Sequence, residues 1–228
     1  MTKLISEIGI NHDGDYEKGR KLIDLAVDTK AWGIKFQYRD LKNYFSRKIL
    51  SSEIGKEILD IEIKKNYLSP IKIKKLSNYA KKKKIKVGIS FFSENDSIKF
   101  SNFSFDFYKI PSAMSDNYNL IKYLKKKNSL LIISFGGRNF YEIKKIVKDC
   151  ALNNKNTVLL HCISNYPTSE RNSNLGFIDT LKKNFKNCKI GYSSHESTII
   201  SSILCLSKKV DFVERHITLN KKSRGLDH

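Results

Sequence analysis

The 228-residue chain is long enough to bury one large core, and 40% hydrophobic with 29% charged residues is ordinary for a globular protein. No apolar run approaches the roughly 20 residues of a membrane-spanning helix, which excludes that class. Lys and Arg number 43 against 23 Asp and Glu, a formal charge of +20 that admits nucleic acid, an anionic membrane surface or a phosphorylated substrate.

In chain order the predicted elements alternate between strand and helix. A strand over Leu4–Ile8 precedes a helix over Tyr16–Thr29, whose Leu22, Ile23, Leu25, Ala26 and Val27 form a face that a sheet can cover. A strand at Gly33–Gln37 runs into the one long connection, Tyr38–Ser69, with a candidate helix around Glu53–Lys64. Connections of this length in an α/β fold usually serve as lids or substrate loops. There follow a helix over Pro70–Lys84, a strand at Lys86–Ser90, a helix over Glu94–Ser101, and a strand at Phe107–Ile110. Next come a helix over Tyr118–Lys127, a strand at Leu130–Ser134 and a helix over Tyr141–Asn153. The series closes with strands at Thr157–His161, Lys189–Ser193 and Phe212–His216, separated by helices over Gly176–Phe185 and Ile199–Leu206.

Most strands are short apolar runs with little polar alternation, as expected when both faces are buried. Strict β-α alternation implies parallel strands with right-handed crossovers. Eight of them favour a closed (β/α)8 barrel, although an open doubly wound sheet has the same periodicity. The eighth strand lies twelve residues before the end of the sequence and is followed by no eighth helix, so one side of the barrel is expected to expose apolar surface.

The lysine runs Lys81–Lys84 and Lys125–Lys127 close helical segments, where cations suit the helix C-terminus. With no arginine-rich tract, they read as solvated faces, and no specific nucleic acid or membrane partner is expected. Cys150, Cys162, Cys188 and Cys205 are far apart and suit reduced thiols. With no signal-peptide pattern after Met1, the expected compartment is the cytoplasm.

Barrel chemistry collects at the C-terminal strand ends. Those positions hold Glu7, Lys35 and Gln37, Ser90, Lys109 with Ser112, Ser134, the stretch His161 to Tyr166, Ser193 to His195, and Glu214 with His216. Two lysines among hydroxyls suit a phosphate or carboxylate, and buried lysines need anionic partners. Singly, either lysine also reads as a snorkelling strand-end residue. His195 and His216, about one αβ unit apart, fall on adjacent strands where they can share a metal. His161 lies within its strand and reads as a hydrogen-bonded core residue. Glu7, before the Asn11-His12-Asp13-Gly14 turn, also reads as part of a helix-entry turn.

The segments EIGINHDG (7–14), IKFQ (34–37), YKIPS (108–112), LLHCISNYPT (159–168), IGYSSH (190–195), VERHITL (213–219) and GLDH (225–228) resemble, in order and spacing, the sialic acid synthase family. That family includes legionaminic and pseudaminic acid synthases and spore-coat polysaccharide proteins. The resemblance implies a TIM barrel that condenses phosphoenolpyruvate with an N-acetylated hexose to a nine-carbon 2-keto acid and phosphate, in surface polysaccharide biosynthesis. It implies that Lys35, Ser90, Lys109, Ser112, Ser134, Ser164, Tyr166 and Ser193 hold phosphoenolpyruvate. It makes His195 and His216 ligands of Mn2+ or Mg2+, Gln37 and Asp227 sugar contacts, and Glu7 and Glu214 the catalytic carboxylates.

The chain departs from the family pattern at several points. Ser194 stands where an Asp is common before the metal histidine, and Ala113-Met114 where Gly-Glu is common. Ser134-Phe135-Gly136-Gly137 replaces S-T-G-M. Residues 1–228 therefore read as one barrel synthase domain, incomplete at its C-terminus, without the last helix and the antifreeze-like domain through which the family forms homodimers. Alternatives are another phosphoenolpyruvate–aldose condensing enzyme, or a non-catalytic barrel that binds sugar or a partner protein.

Overall fold

The computed structural model describes residues 1–40 and 66–223. The candidate helix at Glu53–Lys64 and Asp227 lie outside them. Eight strands close into a barrel: β1 (Lys3–Gly9), β2 (Gly33–Tyr38), β3 (Lys86–Phe91), β4 (Phe107–Ile110), β5 (Leu130–Ser134), β6 (Thr157–His161), β7 (Lys189–Ser194) and β8 (Phe212–His216). Neighbours pair in parallel throughout, and β8 returns to β1 with Glu7 opposite His216. The helices among the described residues are α1 (Tyr16–Asp28), α2 (Pro70–Lys82), α3 (Glu94–Ile98), α4 (Tyr118–Lys125), α5 (Phe140–Asp149), α6 (Phe177–Asn184) and α7 (Ile200–Ser207).

Side-chain caps start α1 to α5, whereas α6 and α7 begin without one. Asp15 accepts from the Glu17 and Lys18 amides at α1, Ser69 caps α2 ahead of Pro70, and Asn139 with Glu142 forms a reciprocal capping box at α5. The expected helix over Glu94–Ser101 stops at Ile98. The next turn swings Phe100 inward against Tyr38, Phe91 and Phe105, and that aromatic packing outweighs helix continuation. Lys81 and Lys82 occupy the last turn of α2, and Lys125 ends α4 with its ammonium on the carbonyls of Cys150 and Ala151.

Strand alternation divides the core into two layers. Outward side chains such as Ile8, Phe36, Ile89, Phe91, Ile110, Ile133 and Tyr192 pack with the helices in a continuous apolar shell. Inward ones form a smaller floor of Ile5, Phe107, Ile132, Val158, Leu160 and Phe212, closed below by Trp32. Gly88 makes room for this floor, since a Cβ there would sit 2.0 Å from the Phe107 ring. His161 belongs to the outer layer, stacked near Phe177 and Tyr192 with Nε2 on the Ser173 carbonyl at 2.8 Å, as the sequence reading expected.

Apolar side chains are exposed on α7. Ser201 and Cys205 face the barrel, while Ile200, Ile203, Leu204 and Leu206 face outward.

Candidate active site

Immediately above the apolar floor, the same inward alternation turns polar. Glu7 on β1, Lys35 on β2, Ser90 on β3, Lys109 on β4, Ser134 on β5, Ser193 on β7 and Glu214 on β8 form a buried ring. Lys35 Nζ donates to Ser90 Oγ at 2.8 Å, is ion-paired with Glu7, and stands 3.9 Å from Glu214 Oε2. Lys109 Nζ lies 2.6 Å from Glu214 Oε1, which also accepts from Ser193 Oγ at 3.0 Å. Gln37 Nε2 donates to Glu7 Oε1 at 3.1 Å.

Each ammonium thus has a carboxylate, as burial demands. Burial alone would push the Glu214 carboxyl up, but the Lys109 and Lys35 ammoniums outweigh it and hold it well below the usual carboxylate range, at about 2. Ser134 Oγ, buried at the end of β5, has no hydrogen-bond partner. It is a hydroxyl aimed into the mouth with nothing to bind.

One side of the mouth is a niche of small polar groups. Ser112 Oγ contacts Cys162 Sγ at 3.0 Å and accepts from the Gly136 amide at 3.0 Å. A Cβ on Gly136 would lie 2.1 Å from Ser164 Oγ and 2.8 Å from Cys162 Sγ, so this glycine keeps the niche open. Neither Cys162 nor Gly136 was given a site role from sequence; each lies two residues from a serine that was.

The histidines stand on the opposite side. The rings of His195 and His216 have centroids 5.7 Å apart, and Tyr166 packs on His195 at 4.4 Å with its hydroxyl 3.4 Å from Nε2. Burial, then the neighbouring His216, lowers the His195 pKa to about 3, so its imidazole is neutral and able to ligate. His195 Nδ1 is buried without a hydrogen-bond partner. Among the described residues no third His, Cys, Asp or Glu joins them. The two imidazoles are thus a candidate pair of ligands and not a full set.

Gly9, quoted in the first motif but given no role, holds the corner between these groups. Its φ of +53° is a left-handed value that glycine adopts freely, and a Cβ would approach Glu7 Oε1 at 3.0 Å, Gln37 Nε2 at 3.3 Å and His216 Cε1 at 3.5 Å. Met114 packs against the outer apolar layer, and Ser194 faces away from the mouth into a polar cluster behind β7.

Fold and site together define a (β/α)8-barrel protein with a charge-paired, hydroxyl-lined mouth. The chain belongs to the NeuB family, whose model matches residues 22–228. It is 33% identical over 234 residues to the N-acetylneuraminate-9-phosphate synthase of Drosophila melanogaster, a match that covers 99% of this chain and 62% of that one. It is 32% identical over 240 residues to the N,N'-diacetyllegionaminic acid synthase of Campylobacter jejuni, covering all of this chain and 70% of that one. The crystal structure of the N-acetylneuraminic acid synthetase of Leptospira borgpetersenii, in complex with citrate, superposes with a TM-score of 0.87 at 27% identity, covering 99% and 76%. The chain thus spans less than two thirds of the Drosophila relative's length. Among the described residues no helix is long and apolar enough to cross a membrane.

Proposed function

We propose that this barrel condenses phosphoenolpyruvate with an N-acetylated sugar aldehyde, giving a nine-carbon 2-keto sugar acid and phosphate for a surface polysaccharide. The observation that supports this most is the pair of buried ammoniums, Lys35 and Lys109, at the centre of a hydroxyl-lined cup. An entering phosphate and carboxylate replace part of the lysines' contact with Glu7 and Glu214, and Ser90, Ser112, Ser134, Ser164, Ser193 and Tyr166 supply neutral donors around them. The partnerless Ser134 hydroxyl gains a partner in that state.

The enol carbon of phosphoenolpyruvate forms the new bond to the aldehyde carbon, and the aldehyde oxygen takes up a proton. Water then adds to the second carbon, and breaking the bond from that carbon to the bridging oxygen releases inorganic phosphate, while the added hydroxyl gives up its proton to phosphate and becomes the keto group. Glu7, fixed by Gln37 and Lys35, is placed to orient that water and accept its proton. Glu214 carries Lys109 and Ser193, so its role is to hold them in register. His195 and His216 would hold Mn2+ or Mg2+, which when bound supplies Lewis acidity toward the aldehyde oxygen. Gln37, at the rim, is placed to meet the sugar.

The test is phosphate release from phosphoenolpyruvate with Mn2+ and a panel of N-acetylated hexoses, using these 228 residues alone and joined to the C-terminal part of a relative. Phosphate release that requires both substrates supports the reading. No release from either form, together with no calorimetric binding of phosphoenolpyruvate, overturns it.

A further inference from the structure

Behind the two histidines, on the outer side of the same strand ends, lies a polar cluster for which the reaction above has no use. Alternation sends Ser193 and His195 toward the mouth and Tyr192, Ser194 and Glu196 away from it. On β8, Glu214 and His216 face in and Arg215 faces out. Glu196 is 5% exposed. One of its carboxylate oxygens accepts from the Tyr192 hydroxyl and the other from Ser194 Oγ at 2.6 Å. Arg215 Nη1 donates to Ser194 Oγ at 2.6 Å and to Ser202 Oγ at 3.2 Å, while Nη2 donates to the Glu196 carbonyl at 2.9 Å. Ser202 Oγ completes the circuit by donating to Ser194 Oγ at 2.9 Å.

A buried carboxylate and a half-buried guanidinium are costly to place where packing alone would serve. At the outward-facing strand ends β1 to β4 use Ile8, Tyr38, Phe91 and Ile110, and β6 uses the hydrogen-bonded His161. The charged pair, Glu196 and Arg215, occurs at the two strand ends that carry His195 and His216. It also reaches the histidine's own backbone: the Thr168 amide donates to the His195 carbonyl at 3.0 Å, and Thr168 bridges in parallel to Glu196. His195 therefore sits between two anchored points, and Arg215 sits between Glu214 and His216.

We infer that Glu196 is a positioning residue for the His195–His216 pair. Through Ser194 and Arg215 it locks the end of β7 to the end of β8, and so fixes the separation and tilt of the two imidazoles. The inference rests on reading those histidines as ligands of a divalent ion, and its test keeps the two claims apart. In Glu196→Gln, Mn2+ affinity followed by electron paramagnetic resonance titration falls about tenfold. Thermal stability and ion-free phosphoenolpyruvate binding stay close to wild type. Ser194→Asp on a Glu196→Ala background puts a carboxylate at the position that Arg215 Nη1 already contacts and restores the affinity. Without any ion, the imidazole NMR signals of His195 and His216 shift in Glu196→Gln and return in the rescued double variant. If the wild type bound no Mn2+, the ligand reading would fail, and the ion-free NMR comparison would still decide the positioning claim. Unchanged imidazole signals and unchanged Mn2+ affinity in Glu196→Gln overturn it. So does loss of folding in both Glu196→Gln and the double variant, which would make the cluster merely structural.

Discussion

Lys109 Nζ and Glu214 Oε1 lie 2.6 Å apart although the residues are separated by 105 positions in sequence. They stand on β4 and β8, opposite strands of an eight-stranded ring, so their ion pair spans the lumen instead of following the sheet. Barrel closure alone creates it.

Removing one partner of this pair leaves a buried, uncompensated charge, which costs about 3–5 kcal/mol. Lys109→Met should therefore lower the unfolding temperature, and the Lys109→Met/Glu214→Gln double variant should recover most of the loss. Neither should bind phosphoenolpyruvate by calorimetry. Wild-type binding by either variant would show that the anion sits elsewhere.

Gly136→Ala tests the niche separately from the fold. The added Cβ meets Ser164 Oγ and Cys162 Sγ, both ends of small side chains, and Ser164 is exposed enough to rotate away. Stability should change by less than about 1 kcal/mol, but the niche is filled and phosphoenolpyruvate affinity should drop about tenfold. A large fall in stability with unchanged affinity would place the niche in the packing and outside the site.

The floor predicts a compensating pair. Gly88→Ala drives a methyl into the Phe107 ring, an overpacking that costs about 1–3 kcal/mol. Phe107→Leu makes room, so Gly88→Ala/Phe107→Leu should unfold at a higher temperature than Gly88→Ala alone. Additive losses would mean that the two side chains do not meet.

Acid stability should depend on His12. Burial lowers its pKa to about 4 in the folded protein from the ordinary 6.5. Between these values the unfolded chain binds a proton that the folded one refuses. This stabilisation is therefore complete above pH 6.5 and is lost as pH falls toward 4, by up to about 3 kcal/mol. His161, also lowered by burial, acts with the same sign. Urea midpoints of His12→Gln should vary less than wild type between pH 7 and 4.5. Parallel profiles would remove His12 from the account.

Position at the C-terminal strand ends made the polar ring of this site readable in advance. Apolar runs ending in Glu7, Lys35, Lys109, Ser193 and Glu214 told which residues face the lumen, because a strand buried on both faces has little other reason to place a charge there. Which carboxylate answers which lysine was not readable, since that depends on reach across a closed ring. Glu196 was missed for a related reason. Its outward parity sends it away from the lumen, and only the fold shows that Arg215 meets it there. Where the Met114 side chain packs was not readable either, since Ser112–Met114 turn as a short 3-10 helix and strand parity does not continue through that turn.

The barrel is sealed below. Phe107, Phe212 and Trp32 stack into a plug whose ring centroids lie 5.2–5.3 Å from the indole, leaving the mouth above as the way in. The mouth is a cup, not a tube, and its deepest polar groups are the buried ring that holds the two lysines. Whatever rests on Lys35 and Lys109 must arrive before anything that occupies the rim around Gln37 and His195. It must also leave after that occupant or joined to it. The plug therefore imposes a sequence on traffic that no single contact encodes.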